Sequence, residues 1–289
     1  MASLTERIAL HDGNTMPLFG LGCWAMDEEP TYNAVLTALN KGYKLIDTAH
    51  CYKNEQSVGK AIKDSGLSRN DFFLVTKLDP HQHGAEGVKQ SLKESLDKLG
   101  LEYVDLFLIH TPMSGKVLET WKAMMEIKKE GKAKSIGVSN FNGEHIQALL
   151  DAGLEKPAVN QFEIHPTNRQ NETVDYCRSQ NIAVMGYCPL ARARLFGKYP
   201  VFGELSAKLK KTEAQIFLRW ALQKRFITIP KSANASRIQE NCDLYDFEIS
   251  QEDMTSIEQL VDGEQISMAA GALKHSWAEI KERDVPGGW

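Results

Sequence analysis

Short apolar runs alternate with longer amphipathic segments along most of this chain. The apolar runs are rich in β-branched and aromatic residues, which is typical of strands. They are nearly continuous rather than alternating, which indicates strands buried on both faces, as in a parallel sheet. Eight such runs are predicted as strands: residues 18–22, 43–49, 72–78, 104–110, 133–140, 158–164, 182–187 and 226–230.

The segments between these runs have helical spacing, as in TYNAVLTALNKG and GVKQSLKESLDKLG. Several end in Lys-Gly or Leu-Gly, the glycine signal that closes a helix. Strands that alternate with helices form parallel sheets, and eight such units predict a closed (β/α)8 TIM barrel. No Pro- or Ser-rich linker interrupts the series, so a single domain spanning residues 1–289 is predicted. Asp12-Gly13 lies between two apolar patches and predicts an N-terminal β-hairpin.

The charge balance of the chain excludes a strongly basic binding protein. Lys and Arg number 34 against 38 Asp and Glu, a net charge of -4, so we expect no nucleic acid and no anionic membrane as partner. The five cysteines are scattered without a CxxC pair, which argues against a disulfide framework and a metal site and favours a reducing, cytoplasmic setting. No run of 18 apolar residues and no signal peptide is recognisable. We expect a monomer that acts on a small molecule.

One motif suggests a different fold. Gly20, Gly22 and Ala25 match the dinucleotide-binding pattern G-x-G-x-x-G/A, and Asp47 follows where an acidic ribose ligand is expected. In that fold the glycine loop opens directly into a helix, whereas residues 26–30 intervene here. The barrel is therefore the favoured interpretation.

In a (β/α)8 barrel, the active site lies at the carboxyl ends of the strands. Almost every predicted strand ends on a hydrogen-bonding or ionisable side chain. These residues are Asp47, Lys77, His110, Ser139, Asn140, Gln161, Tyr187, Lys231 and Ser232. Any one of them alone is readily explained as a cap, but so many on one rim predict an active site there.

The motifs around these residues resemble the aldo-keto reductase superfamily nearly end to end. The motifs, in family order, are GLGCW, LIDTAHCYKNEQSVG, FLVTKL, YVDLFLIH, SIGVSNF, NQFEIHP, GYCPL and IPKSANASRIQEN. The resemblance implies a barrel that binds a nicotinamide dinucleotide across the strand ends and reduces aldehydes and ketones to alcohols. It also implies that Asp47, Tyr52, Lys77 and His110 form the catalytic set.

The chemistry of carbonyl reduction fits this set. Hydride transfer builds negative charge on the carbonyl oxygen, so the site needs a proton donor aimed at that oxygen. A phenol has a pKa near 10, and a buried ammonium nearby would lower it. Lys77 is therefore predicted to lower the pKa of Tyr52, with Asp47 fixing Lys77 and His110 orienting the substrate. Trp24 is predicted to form an apolar wall of the substrate pocket.

The resemblance also implies a set of cofactor contacts. Ser139, Asn140 and Gln161 would hold the nicotinamide carboxamide, Tyr187 would stack on the ring, and Leu190 would add a further contact. The segment IPKSANASRIQEN would bind the adenosine 2′-phosphate through Lys231, Ser232, Asn234 and Arg237, with Glu240 and Asn241 at the adenine. Cations with a hydroxyl and an amide suit phosphate, so NADPH is predicted over NADH.

Two segments depart from the family pattern. The connection TPMSGKVLETW is short, as in microbial-type members, which predicts an open pocket. Cys188 stands where the family usually has Ser, and Arg192 and Arg194 follow it; they could contact the cofactor pyrophosphate or lie in solvent. The tail from residue 267 to residue 289, with Trp277 and Trp289, is predicted to cover the mouth of the pocket.

Two alternative functions fit the same residues. A Schiff-base aldolase on the same barrel would use Lys77 as its nucleophile. A reductase-like binding protein would keep the cofactor site without turnover. The intact set of Asp47, Tyr52, Lys77 and His110 disfavours the binding protein, and borohydride trapping of a substrate on Lys77 would distinguish the aldolase. An NADPH-dependent reductase is the function predicted.

Overall fold

The computed structural model describes residues 3–113 and 115–281. Within them the strands are β1 (Arg7–Ala9), β2 (Thr15–Pro17), β3 (Leu21–Gly22), β4 (Leu45–Asp47), β5 (Phe73–Leu78), β6 (Val104–Ile109), β7 (Ala133–Ser139), β8 (Val159–Glu163), β9 (Ala183–Tyr187) and β10 (Ile227–Thr228). The helices are α1 (Glu28–Asn40), α2 (Glu55–Asp64), α3 (Ala85–Leu99), α4 (Val117–Lys129), α5 (Gly143–Asp151), α6 (Asn171–Ser179), α7 (Pro200–Leu209), α8 (Glu213–Gln223), α9 (Ala235–Cys242), α10 (Gln251–Glu258) and α11 (Trp277–Ile280). All eight predicted barrel strands are present, and none of the described helices is long and apolar enough to cross a membrane.

Strands β3 to β10 lie side by side in chain order, each parallel to the next. The first and last strands also meet. The amide of Thr228 donates to Leu18 O at 2.8 Å, Gly20 N donates to Thr228 O at 3.0 Å, and Gly22 N donates to Pro230 O at 3.1 Å. The sheet therefore closes on itself, which confirms the predicted (β/α)8 barrel.

The glycines of the GLG motif serve this closure. A Cβ on Gly22 would lie 2.9 Å from Ile229 O, and a Cβ on Gly20 would lie 2.6 Å from Leu45 O, so a side chain at either position would collide with a neighbouring strand. Helix α1 begins only at Glu28. The motif is a packing feature of the barrel, and the dinucleotide-fold interpretation is wrong.

The predicted hairpin closes the amino-terminal end of the barrel. Ile8 pairs with Met16 in an antiparallel register, and Met16 is fully buried. Asn14 Nδ2 donates to Lys134 O at 3.1 Å, at the start of β7. Because the hairpin covers the amino-terminal end of the barrel, an active site can form only at the carboxyl ends of the strands.

Residues 267–281, the described part of the predicted C-terminal tail, lie over the carboxyl ends of the strands. Glu163, the last residue of β8, is fully buried and accepts from Ile266 N and Ser267 N, both at 2.6 Å. Asn142, which caps α5, donates through Nδ2 to two carbonyl groups of the tail. The predicted position of the tail is thus confirmed for its described part.

The end of the tail packs against the short connection after β6. Trp277 lies against a small buried cluster of Met113, Ala272 and Ile280. The tail thereby covers part of the rim beside the short loop. Trp289 lies outside the described residues.

Candidate active site

Asp47 and Lys77 meet at the centre of the rim because they lie on neighbouring strands. Asp47 pairs with Val75 in the parallel register, and Lys77 follows two residues later, so its side chain points to the same face of the sheet. Lys77 Nζ donates to Asp47 Oδ1 at 2.6 Å and to Thr48 O at 2.9 Å. Both residues are buried: Lys77 is fully buried, and Asp47 is 2% exposed. The rim thus holds a buried ion pair with satisfied hydrogen bonds.

A short turn after β4 brings Tyr52 to this pair. Residues His50–Tyr52 form one 3₁₀ turn, and Lys53 then adopts a left-handed conformation with φ of 57°. The side chain of Asn54 fixes this turn by hydrogen bonds. Asn54 Oδ1 accepts from Thr48 Oγ1 at 2.7 Å, and Asn54 Nδ2 donates to Cys23 O at 2.8 Å. This turn places the Tyr52 hydroxyl 3.3 Å from Lys77 Nζ.

The electrostatics of Tyr52 differ from the prediction. Burial of the hydroxyl raises the pKa of Tyr52 well above its usual value, and the nearby charge of Asp47 raises it further. Lys77 is predicted to lower this pKa, but the carboxylate of Asp47 lies 2.6 Å from its ammonium. The field at the phenol is therefore that of an ion pair and not that of a lone cation. In this structure Tyr52 is a neutral phenol throughout the physiological pH range.

Gln161 also contacts the ion pair, which the sequence did not predict. Its Nε2 donates to Asp47 Oδ2 at 2.7 Å. Burial raises the pKa of the Asp47 carboxyl, while the Lys77 ammonium and the Gln161 amide oppose that rise. Both carboxylate oxygens of Asp47 are therefore occupied, and Asp47 is held in one orientation toward Lys77.

His110 follows β6 directly and lies beside Tyr52. The two rings are 5.6 Å apart in an edge-on arrangement. Burial lowers the pKa of His110 well below its usual value, and the charge of Lys77 lowers it further. The imidazole is therefore neutral at pH 7. Its Nδ1 lies 3.3 Å from Cys51 Sγ, a contact that the sequence analysis missed although Cys51 immediately precedes Tyr52.

The residues predicted to contact the nicotinamide, three at its carboxamide and Tyr187 at its ring, form one connected network. Tyr187 Oη donates to Asn140 Oδ1 at 2.8 Å, and Asn140 Nδ2 donates to His110 O and to Ser139 Oγ, both at 3.1 Å. Ser139 Oγ donates in turn to Gln161 O at 2.8 Å. Asn140 adopts a left-handed backbone with φ of 62°, which turns its side chain into this network. The structure thus brings together all four residues of this set.

The predicted phosphate-binding residues lie at the start of α9. Asn234 caps this helix by accepting from Arg237 N at 3.1 Å, and Ser232 Oγ accepts from Asn234 N at 3.1 Å. Lys231 and Arg237 are exposed on either side of the cap. A helix amino terminus flanked by two cations suits a phosphate dianion. These residues therefore fit the 2′-phosphate of NADP(H).

The residues predicted at the adenine lie one turn further along α9. Glu240 Oε1 accepts from Thr212 Oγ1 at 2.7 Å, so its carboxylate is engaged with the cap of α8. Asn241 is buried. Their roles at the adenine remain predictions.

The segment after β9 turns sharply over the rim. Cys188, Ala191, Arg192 and Ala193 all adopt left-handed conformations, which are strained for residues other than glycine. The Arg192 guanidinium lies 4.5 Å from the centre of the Trp24 ring, a cation–π contact. Trp24 itself is 49% exposed, and its part in the wall of the substrate pocket stays a prediction.

Leu190 and Arg194 lie at the two ends of this turn. Leu190 is half-buried, and Arg194 is exposed. Arg192 therefore contacts Trp24 in this structure. For Arg194, contact with the cofactor pyrophosphate and exposure to solvent both stay predictions.

Glu163 is a buried acid at the rim that was not predicted from the sequence. Glu163 binds the C-terminal tail, and His165 Nε2 lies 3.0 Å from its Oε1. The only signal in the sequence is a carboxylate at the end of an apolar strand, the same signal that pointed to Asp47.

Comparison with known proteins agrees with this geometry. The model of the aldo/keto reductase family matches residues 15–262. The chain is 42% identical over 265 residues to a glyoxal reductase of Bacillus subtilis, covering 91% of this chain and 96% of the relative. It is 40% identical over 262 residues to a 9,11-endoperoxide prostaglandin H2 reductase of Trypanosoma cruzi, covering 90% and 93%.

Solved structures give the same result. The crystal structure of an aldo-keto reductase of Bombyx mori in complex with NADP superposes with a TM-score of 0.88 at 34% identity. The match covers 98% of this chain and 100% of the silkworm protein.

Proposed function

Since the chain belongs to the aldo-keto reductase family and is an NADP(H)-dependent oxidoreductase, we propose that it reduces aldehydes, and also ketones, to alcohols with Tyr52 as the proton donor. The observation that carries this proposal is the hydrogen bond of 3.3 Å between Lys77 Nζ and the Tyr52 hydroxyl beside a buried ion pair. When bound, the reduced nicotinamide supplies the hydride.

The environment of Tyr52 suits a proton donor. Its raised pKa keeps the phenol protonated until the carbonyl oxygen gains negative charge and becomes the stronger base. As the proton leaves, the Lys77 ammonium stabilises the phenolate through the hydrogen bond that already exists. Asp47 holds Lys77 in place for this step.

His110 has a separate part in the proposal. The imidazole is neutral and lies beside Tyr52, so a ring N–H can donate a hydrogen bond to the carbonyl oxygen. Two donors converging on one oxygen orient the substrate and stabilise the charge that develops on it. Trp24 would form one wall of the pocket.

The cofactor contacts are proposed on the same geometry. The network of Ser139, Asn140 and Tyr187 would bind the carboxamide and the ring face of the nicotinamide, with Gln161 beside them. Lys231 and Arg237 at the start of α9 would bind the 2′-phosphate.

Small aldehydes are the first substrates to examine. The connection between β6 and α4 is short, and the Bacillus relative is named a glyoxal reductase. A short connection offers few contacts of its own to a long substrate, and the C-terminal tail covers the part of the rim beside it. We therefore expect turnover of glyoxal-type and other small carbonyl compounds.

The proposal is tested with Tyr52→Phe, which removes only the hydroxyl. NADPH oxidation with an aldehyde should fall by about a hundredfold to ten-thousandfold, the usual contribution of a positioned acid. NADPH binding, followed by fluorescence, should stay near that of the wild type. Tyr32→Phe is the matched control, because the hydroxyl of Tyr32 bonds Asp64 on the outer helices. Substantial turnover by Tyr52→Phe would show that another group is the acid.

The aldolase alternative is disfavoured by the surroundings of Lys77. Its Nζ donates to three oxygens, on Asp47, Thr48 and Tyr52, and the side chain is fully buried. A nucleophilic amine needs a lone pair and access to a carbonyl carbon. Borohydride trapping of a substrate on Lys77 would support the aldolase, and absence of NADPH oxidation with every carbonyl compound would support a binding protein.

A further inference from the structure

Cys51 lies against the candidate hydrogen-bond donor to the substrate. Its Sγ is 3.3 Å from His110 Nδ1, within hydrogen-bond range for sulfur. The 3₁₀ turn of residues His50–Tyr52 fixes this contact, because it also places Tyr52 beside His110. The thiol and the phenol of neighbouring residues therefore face the same imidazole.

Both partners in this contact are neutral at physiological pH. Burial raises the pKa of the Cys51 thiol to about 12. Burial and the charge of Lys77 lower the pKa of His110. A hydrogen bond between these two neutral groups has one of two arrangements: the thiol S–H donates to a bare Nδ1, or an Nδ1–H donates to the sulfur of the thiol.

The relative basicity of the two atoms decides between these arrangements. The bare nitrogen of a neutral imidazole is a good acceptor, whereas a thiol sulfur is a weak one. The S–H group therefore donates to Nδ1, and the single ring proton of His110 lies on Nε2. The hydrogen bond made by one ring nitrogen of a histidine generally decides whether the other nitrogen carries the proton, and this bond therefore selects one tautomer.

We propose that Cys51 is a positioning residue that holds His110 as the Nε2–H tautomer, so that the ring presents an N–H donor to the substrate carbonyl oxygen. The part concerning the substrate rests on the proposed reductase function. The tautomer itself does not, and it can be measured in the protein without substrate.

The test compares Cys51→Ala, which removes the donor, with Cys51→Ser, which keeps one. Cys177→Ala is the matched control, because Cys177 is a buried thiol on α6 that contacts Asn160 and not His110. The ¹⁵N chemical shifts of His110 report which ring nitrogen carries the proton. Steady-state kinetics with NADPH and an aldehyde, below the unfolding temperature of each variant, report the consequence.

We expect the wild type and Cys51→Ser to show the proton on Nε2. In Cys51→Ala we expect a mixture of tautomers and a kcat about fivefold to tenfold lower, which is the loss of roughly one hydrogen bond, with KM for NADPH unchanged. Cys177→Ala should keep both the tautomer and kcat.

Two results would overturn the proposal. One is a wild-type protein with the proton on Nδ1. The other is Cys51→Ala with the wild-type tautomer, whatever its activity. If no variant and no wild type oxidises NADPH, the reductase function fails while the ¹⁵N measurement still decides the role of Cys51.

Discussion

Removing the ammonium of the buried ion pair should destabilise the barrel strongly. In Lys77→Met, the carboxylate of Asp47 stays buried at the rim, and among the described residues Gln161 is its remaining side-chain hydrogen-bond partner. Breaking a buried pair on one side generally costs about 3–5 kcal/mol, because it leaves an uncompensated charge. Methionine fills much of the lysine volume, so cavity formation contributes little to this loss.

The deficit should depend on pH in a defined direction. Burial already raises the pKa of Asp47, and Lys77→Met removes the charge and the hydrogen bond that oppose the rise. An acid with a raised pKa in the folded state stabilises the fold below its unfolded pKa, and this stability is lost as pH rises through the folded pKa. The deficit of Lys77→Met relative to the wild type should therefore be smallest near the unfolded pKa of an aspartate, about 4, and should grow as pH rises above it.

Urea unfolding followed by circular dichroism, with refolding verified at each pH, measures both effects. The double variant Asp47→Asn with Lys77→Met removes both charges and should recover most of the loss. Lys93→Met is the matched control, because Lys93 pairs with Asp97 on an exposed helix face, and it should change little. A loss below about 1 kcal/mol in Lys77→Met, or a deficit independent of pH, would refute this account of the pair.

Three further changes test other parts of the structure. Glu163→Gln leaves one acceptor oxygen for two amides, so trypsin should cleave the C-terminal tail faster; an unchanged cleavage rate would contradict its anchoring role. Gly22→Ala drives a methyl group toward Ile229 O and should lower the unfolding free energy by about 1–3 kcal/mol, whereas Gly203→Ala, which meets open space, should not. Arg237→Ala should weaken NADPH binding by about tenfold to a hundredfold with little effect on NADH, measured by fluorescence titration, and equal losses would refute the phosphate assignment.

The barrel could be predicted because its determinants are local and repeated. Each strand is an apolar run, each helix has its own spacing, and several helices have a glycine end, as at Gly100, which closes α3 in a left-handed conformation. The order of strands then follows from the alternation alone. The GLG motif is ambiguous because glycine permits close approach to a phosphate and to a neighbouring strand equally. The positions of Leu45 and Ile229 and the start of α1 at Glu28 separate the two interpretations.

Side-chain partners across the rim were harder to predict. Asp47 and Gln161 are 114 residues apart, and their hydrogen bond depends on the curvature of the closed sheet. The contact of Cys51 with His110 depends on a 3₁₀ turn that the sequence marks only weakly. The partners of Glu163 in the C-terminal tail lie 103 and 104 residues further along the chain, so nothing local in the sequence marks this carboxylate.

The pKa of Tyr52 was predicted in the wrong direction for a related reason. The sequence supplies a cation near the phenol, and a lone cation would lower its pKa. The contact of Asp47 with Lys77 is predicted from the sequence, but neither its distance of 2.6 Å nor the depth at which the hydroxyl is buried can be read there. A paired cation has little field left to favour a phenolate in the resting site, yet it still donates a hydrogen bond to the phenol oxygen. Tyr52 is thus kept protonated before reaction, and Lys77 becomes effective when charge develops during proton transfer.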